Sequence, residues 1–453
     1  MWSAVVAATR ETVGRLVGSG IAPASFAAVA VTSQYMSVVP VAADGHPTGP
    51  CILWMDTRGA AHNRQLLNDL GHDGSAALFF ERHGLIPLPG GNDNVAHVAA
   101  LREHHPDAYA AAVAFVEPMD YLAARLTGTV GATQSTMFGQ LVCDNRTWGA
   151  TTYDAELVTA TRLDPDKLPA LRPMNGFVGE LRSDVAAALG VVAGIPVAVP
   201  TIDSITSAIG TGAIDATRGS VVIGTTSVVV SHVGEHRCDI RSGLLGVPSP
   251  LSGQYFVMAE NGVGGRALEW AATLFGHPDG LTSALLAAEL SSVGANGVGF
   301  MPWLLGSIAP RPDGEVRAAF TGLALHHRRG DVFRAVLEGV ALNLAWLLPA
   351  VERFVGNPFG FIGFGGGAAQ SDLWAQILAD ALDRPVHQFA DPRTANAVGA
   401  AFLAFADLGR LSIADVPALL RVPRVYEPQQ EHRAVMDDAL GRLVELHRTL
   451  RAK

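Results

Sequence analysis

Hydrophobic positions set the frame of this chain. Trp2, Val5, Val6, Val13, Leu16 and Val17 recur at helical spacing, so the chain is expected to begin inside an amphipathic helix. No Ser, Thr or Asp precedes Trp2 as an N-cap, and Ser3 would cap only a shortened version. Apolar, β-branched runs predict strands at residues 27–31 and 38–41, the second at a sheet edge because Pro40 cannot donate to a ladder. Asp44-Gly45 supplies a turn, and residues 52–54 form a third apolar run. From residue 60 to 126 the pattern is mostly helical, with a Pro/Gly-rich loop at 85–94. Residues 195–199 are long enough for a buried strand, closed by Pro200, and Asp203 follows three residues later. Residues 220–223 and 228–233 flank Gly224-Thr225-Thr226-Ser227 as a hairpin would. A short strand at 361–364 runs into Gly365-Gly366-Gly367, followed by a helical stripe of Leu373, Trp374, Ile377, Leu378, Ala381 and Leu382 with Ser371 as its N-cap. The apolar stretch 339–351, interrupted by Asn343, is too short to span a bilayer and predicts a buried helix. Strands alternating with helices in both halves predict an α/β protein with a domain boundary near 215–219.

Composition narrows the class. A chain of 453 residues has room for two or three domains. Its 49% hydrophobic and 16% charged content, with 49 Gly and 26 Pro, excludes a disordered chain or a coiled coil. The net charge of −10 gives no electrostatic reason to bind nucleic acid or an anionic membrane, although a nucleotide can still bind locally through backbone amides and Mg²⁺. Cys51, Cys143 and Cys238 are far apart and odd in number, which fits a reducing compartment and no zinc site. Arg10 and Glu11 stand where a secretory signal would hold its apolar core, so a soluble, cytoplasmic protein is expected. The 15 histidines show no HExxH spacing, and no metal ligand is assigned.

Several residues are placed to do chemistry, each with a plainer alternative. Asp203, just past a buried strand, stands where ligands gather in open α/β sheets; it could take a proton from a hydroxyl attacking phosphorus, or simply cap the following helix. The turn Gly224-Thr225-Thr226 could hold phosphate through amides and hydroxyls, or be ordinary turn chemistry. Gly365-Gly366-Gly367 suits a nucleotide crossing the backbone at a helix start, or tight strand-to-helix packing; it is neither a Walker A loop nor a GxGxxG fingerprint. Trp54, Asp56 and Arg58 would share one side of an extended chain, as a substrate platform or as a surface ion pair beside a core tryptophan. Gln34-Tyr35-Met36, after a strand, lines a pocket or packs in the core.

The joint order of these segments carries more information than any one of them. VTSQYMSVVPVAADGHPTGPCILWMDTR resembles the substrate-side hairpin of xylulokinases and other FGGY carbohydrate kinases. FVEPMDYLAARLTG, IPVAVPTIDSITSAIGTG, GSVVIGTTSVVV, MPWLLGSIAPRPDGEVRAAFTGL and FIGFGGGAAQSDLWAQILADALDRPV are similar to that family's segments and follow in its order, through about residue 408. The resemblance implies a two-domain, actin-like (ribonuclease-H-like) α/β fold with an interdomain active-site cleft, residues 1–215 binding sugar and 216–453 binding nucleotide. It implies ATP and Mg²⁺, a small sugar substrate, and allows a homodimer. It makes Asp203 the base, with Ser204 beside it; puts Gln34, Tyr35, Met36, Trp54 and Asp56 on the sugar side; and puts Gly224, Thr225, Thr226 and Gly264 at the phosphates, with Gly366, Gly367 and Ser371 at the adenosine.

The chain departs from the family pattern in four places. It starts after the Asp-x-Gly-Thr hairpin that places Mg²⁺ and the terminal phosphates in the family, so weak turnover is expected. Tyr35-Met36 replaces Met-His, Gly306-Ser307-Ile308 replaces Gly-Glu-Arg, and Ser204 replaces an amide after the base. The sequence therefore predicts an ATP-dependent kinase for a sugar, with a pentulose such as xylulose first. A non-catalytic sugar- or nucleotide-binding protein that has lost the first phosphate loop is the alternative.

Overall fold

The computed structural model describes residues 1–239, 241–276 and 280–451. The chain divides into two compact units, residues 1–206 with 247–255 and 397–413, and residues 207–246 with 256–396 and 414 onward. Each unit takes in segments from both sides of residues 215–219, where the sequence put its boundary.

In the first unit, the helix Trp2–Gly18 lays Trp2, Val5 and Val6 against two small cores, one around Val39, Val116 and Leu122, the other around Leu126, Val185 and Val197. The strand expected at 27–31 is reduced to a bridge at Val29 opposite Val197, and the ladder proper is Thr32–Ser33 paired in parallel with Thr201–Ile202. Pro200 is the cause. Having no N–H, it cannot continue the ladder, and Thr201 N donates to Val31 O at 3.3 Å instead. The strand at 38–41 forms as Val39–Val41, antiparallel to Ala114–Val116 in a two-stranded sheet that sets Pro40 opposite Phe115. That partner strand interrupts the stretch expected to be helical, because three apolar residues are too few to break a helical pattern by periodicity. The run at 52–54 makes only the bridge Ile52–Val38 and then turns, with Asp56 N donating to Leu53 O at 2.8 Å.

The second unit is built on an eight-stranded sheet. At its centre Gly219–Ile223 pairs antiparallel with Thr226–Val233 and parallel with Ile362–Gly365, which in turn pairs parallel with Val386–Gln388. The apolar run at 339–351 belongs to a longer helix, Arg329–Val355. Its 27 residues are long and apolar enough to cross a membrane, yet 89% of the most apolar window is buried inside the fold. The helix accommodates Asn343 by a reciprocal pair of 3.1 Å bonds: Asn343 Nδ2 donates to Asn261 O, and Asn261 Nδ2 donates to Asn343 O. A buried amide satisfied on both sides costs little.

Candidate active site

In the first unit the site residues hang from the carboxyl ends of two parallel strands. Ser33 lies opposite Ile202, so Gln34 and Asp203 leave the sheet side by side at the edge where ligands gather in such sheets. Asp203 is the first residue of the helix Asp203–Gly210. The Ser204 hydroxyl donates to its Oδ1 at 3.2 Å, and the Thr206 hydroxyl donates to its backbone carbonyl at 2.9 Å. Thr206 Oγ1 also lies 3.1 Å from Thr32 Oγ1, which pins the helix start to the neighbouring strand. Burial raises the Asp203 pKa above the ordinary aspartate value, while Ser204 acts against the rise. A half-buried carboxylate of raised basicity is suited to accepting a proton.

Beyond Gln34 the chain makes a tight loop in which Met36 has φ 56°, the left-handed region that a side chain seldom adopts. Ser37 is buried beneath it. Its Oγ accepts from Gln34 Nε2 and from Trp54 N, each at 3.2 Å, so Gln34 and Trp54 share an anchor. Trp54 is 39% exposed at the turn that replaces the expected extended strand. Asp56 and Arg58 form a local pair at 2.6 Å; the Arg58 backbone N–H and Nε also donate to Asp56 Oδ1, holding its pKa below the usual range. Asp56 is therefore held by Arg58, and its backbone carbonyl lies 3.1 Å from His97 Nε2. Tyr35 is half-buried between Gln34 and Met36.

The polar core beneath this loop escaped the sequence reading. Glu117, fully buried, accepts Ser37 N at 3.0 Å and Asn94 Nδ2 at 2.7 Å. Burial pushes its pKa well up, against these two donors. One turn along, Asp120 is also fully buried and is pushed to about 7 by desolvation, opposed by the Thr136 hydroxyl. The signal was present: FVEPMDYLAARL sets Glu117 and Asp120 among mostly apolar residues at the start of a helix whose first turns are buried.

The second unit repeats the arrangement with backbone in place of side chains. Gly365 lies opposite Val222 in a parallel register, so Gly224 and Gly366 emerge together at the carboxyl edge of the central strands. Gly264 N donates to Thr225 O at 3.0 Å and Gly265 N to Gly224 O at 2.8 Å, clamping the Gly224-Thr225-Thr226 turn from one side. A Cβ on Gly264 would stand 2.5 Å from Thr226 O, so only glycine allows this approach. Gly366 has φ 85°, and its Cβ would lie 2.4 Å from Ile223 O. Gly367, by contrast, faces open space. It begins the short helical turn Gly367–Gln370, after which Ser371 caps the helix Asp372–Leu382, its Oγ accepting Trp374 N at 3.2 Å. Gly224, Thr225, Thr226, Gly264, Gly366, Gly367 and Ser371 thus belong to this one unit, with Gly224 and Thr225 exposed at the turn and the Gly224 amide closing it by donating to Thr226 O at 2.9 Å.

Comparison with known proteins agrees with this geometry. Residues 1–210 match the model of the FGGY family of carbohydrate kinases, N-terminal domain, and residues 219–408 that of its C-terminal domain. The chain is 27% identical over 408 residues to the xylulose kinase of Staphylococcus epidermidis, covering 89% of this chain and 79% of that protein. It is 30% identical over 450 residues to the glycerol kinase of Thermus brockianus, covering 95% and 86%. Among solved structures it is similar to a xyloylose kinase from Brucella ovis, with a TM-score of 0.82 at 27% identity, covering 95% and 86%. With both family models matched in order and a two-domain actin-like fold, the chain belongs to the FGGY carbohydrate kinases, ATP-dependent enzymes that phosphorylate sugars.

Proposed function

We propose that this kinase transfers the γ-phosphoryl group of MgATP to a hydroxyl of a pentulose such as xylulose, with Asp203 as the base. Support comes from one observation above the rest: Gln34 and Asp203 leave adjacent parallel strands together, and Asp203 is half-buried with a raised proton affinity. In this reading the first 215 residues bind sugar and the remainder binds nucleotide. Gln34, Tyr35, Met36, Trp54 and Asp56 orient the acceptor, and Ser204 steadies Asp203. Asp203 takes the proton from the acceptor oxygen as its bond to the γ-phosphorus forms and the bond from that phosphorus to the β,γ-bridging oxygen breaks, leaving ADP, so the attacking oxygen never carries a full unshielded charge. The exposed turn of Gly224, Thr225 and Thr226 would receive the triphosphate, and the open space at Gly367, next to Gly366, the adenosine.

The glycine cradle fits a nucleotide, because a side chain at Gly264 or Gly366 would collide with backbone while Gly367 is left open. A divalent cation accompanies ATP in this family. Among the described residues there is no group of three His, Cys, Asp or Glu that would hold a metal ion, so Mg²⁺ is read as arriving on the phosphates, the habit of an ion that keeps few protein ligands. It would neutralise phosphate charge, and no residue is assigned to it.

Sugar-dependent ADP release across pentuloses, hexuloses and polyols tests the proposal. Xylulose as the best acceptor supports it; a clear preference for glycerol or a hexulose would move the substrate assignment and leave the kinase chemistry standing. ATP binding with no turnover on any acceptor would favour the binding-protein alternative.

A further inference from the structure

We propose that Glu117 is the positioning residue of the acceptor loop, the buried carboxyl group that holds Gln34, Met36 and Trp54 in their working geometry. The inference rests on the reading of this loop as the sugar side. Glu117 reaches the loop through the Ser37 amide, which donates to its Oε2 at 3.0 Å, and Asn94 Nδ2 donates to its Oε1 from behind at 2.7 Å. The residue just before that amide, Met36, sits at φ 56°, a left-handed conformation that costs a side-chain-bearing residue energy. The Ser37–Glu117 bond ties the backbone down at the end of this strained step.

The next link is Ser37, whose Oγ accepts from Gln34 Nε2 and from the Trp54 amide. One carboxyl group therefore sets the backbone of the loop, and one hydroxyl passes that position to the two side chains facing the acceptor. Asn94 packs in turn against Gly139, where an added Cβ would lie 3.0 Å from its amide nitrogen. Residues of the sugar side that are dispersed in sequence from 34 to 54 thus depend on a single buried group that need not touch sugar.

The experiment compares wild type, Glu117→Gln and Ser37→Ala, using ATP and whichever of xylulose and glycerol is the better acceptor. Gln keeps the shape but turns an NH₂ group toward donors or forfeits the Asn94 bond. The expected result is a rise of about tenfold or more in the acceptor KM with the ATP KM within about twofold of wild type. Ser37→Ala leaves the Glu117 contact to the Ser37 amide in place, and a smaller rise confined to the acceptor KM is expected. A merely structural role for Glu117 would lower the melting temperature and raise both KM values together or lower kcat alone, and that outcome overturns the proposal. If Glu117→Gln does not fold, Ser37→Ala decides: an unchanged acceptor KM refutes the linkage. Gln34→Ala and Trp54→Ala serve as controls. If they raise the acceptor KM and Glu117→Gln does not, positioning by Glu117 is wrong. If none of these variants moves it, the sugar-side reading itself has failed.

Discussion

The two candidate binding surfaces, one in each unit and read as the nucleotide side and the acceptor side, are built from different materials. On the nucleotide side, Gly224 and Gly366 leave parallel strands together, and the receiving surface is backbone packed on backbone, with Gly264 and Gly265 amides locked to the turn. On the acceptor side, Gln34 and Asp203 also leave parallel strands together, but the surface is made of side chains suspended from Ser37 and Glu117. The difference suits the ligands. A polyphosphate offers the same oxygens whatever the nucleotide, and amides satisfy it without regard to side chain. A sugar must be distinguished hydroxyl by hydroxyl, which takes polar side chains fixed in direction. A backbone cradle is broken by adding atoms, whereas a side-chain network is broken by removing a partner.

The largest effect should follow from adding an atom at the crowded end of the cradle. Gly366→Ala places a Cβ 2.4 Å from Ile223 O at φ 85°, so the two strand ends must part. A loss of turnover on the order of 10²-fold and a destabilisation of roughly 2–3 kcal/mol are expected, read by ADP release and urea denaturation. Near-normal stability would show that the strand ends yield easily. Gly367→Val is the counterpart in open space. It should leave folding intact and weaken ATP binding about tenfold without altering acceptor binding, because the branched side chain occupies room the nucleotide needs. Calorimetric titration of each ligand checks this, and equal ATP affinity would move the nucleotide elsewhere.

How much of this was legible in the sequence follows the same division. The glycine turns could be read directly, because Gly224, Gly366 and Gly367 stand between apolar runs whose periodicity announces strands and a helix. The strand at 27–31 could not, because its extent is set by partners far along the chain, Val29 beside Val197 and Val31 O accepting from Thr201 N. Asp203 was legible by position, yet its proton affinity comes from burial, which is a tertiary quantity. The Glu117 network was hidden for a related reason. Ser37, Asn94 and Glu117 are dispersed along the chain, and nothing in local pattern joins them until Val39–Val41 pairs with Ala114–Val116.

A smaller effect probes the carboxylate next to that network. Asp120 titrates near pH 7 in the folded protein, against 3.8 for the ordinary group. Its folded pKa is raised, so its contribution favours folding below the unfolded value and is lost as pH rises from about 4 through about 7. Asp120→Asn should therefore remove part of the decline in stability between pH 5 and pH 8, by an amount on the order of 1–2 kcal/mol. Chemical denaturation of both proteins at the two pH values reads it, and parallel slopes would mean that Asp120 stays ionised throughout.

The most direct test of the central claim is sugar-dependent ADP release by wild type and Asp203→Asn, measured across pH with the best acceptor. If Asp203 is the base, the variant keeps its fold and its ATP affinity while turnover falls by about 10²-fold or more. The wild-type rate should decline with acid at a pH above the ordinary aspartate value of 3.8, because burial raises the group that must be ionised, and that limb should be absent from the residual activity of the variant. Wild-type turnover in a folded Asp203→Asn protein would contradict the account.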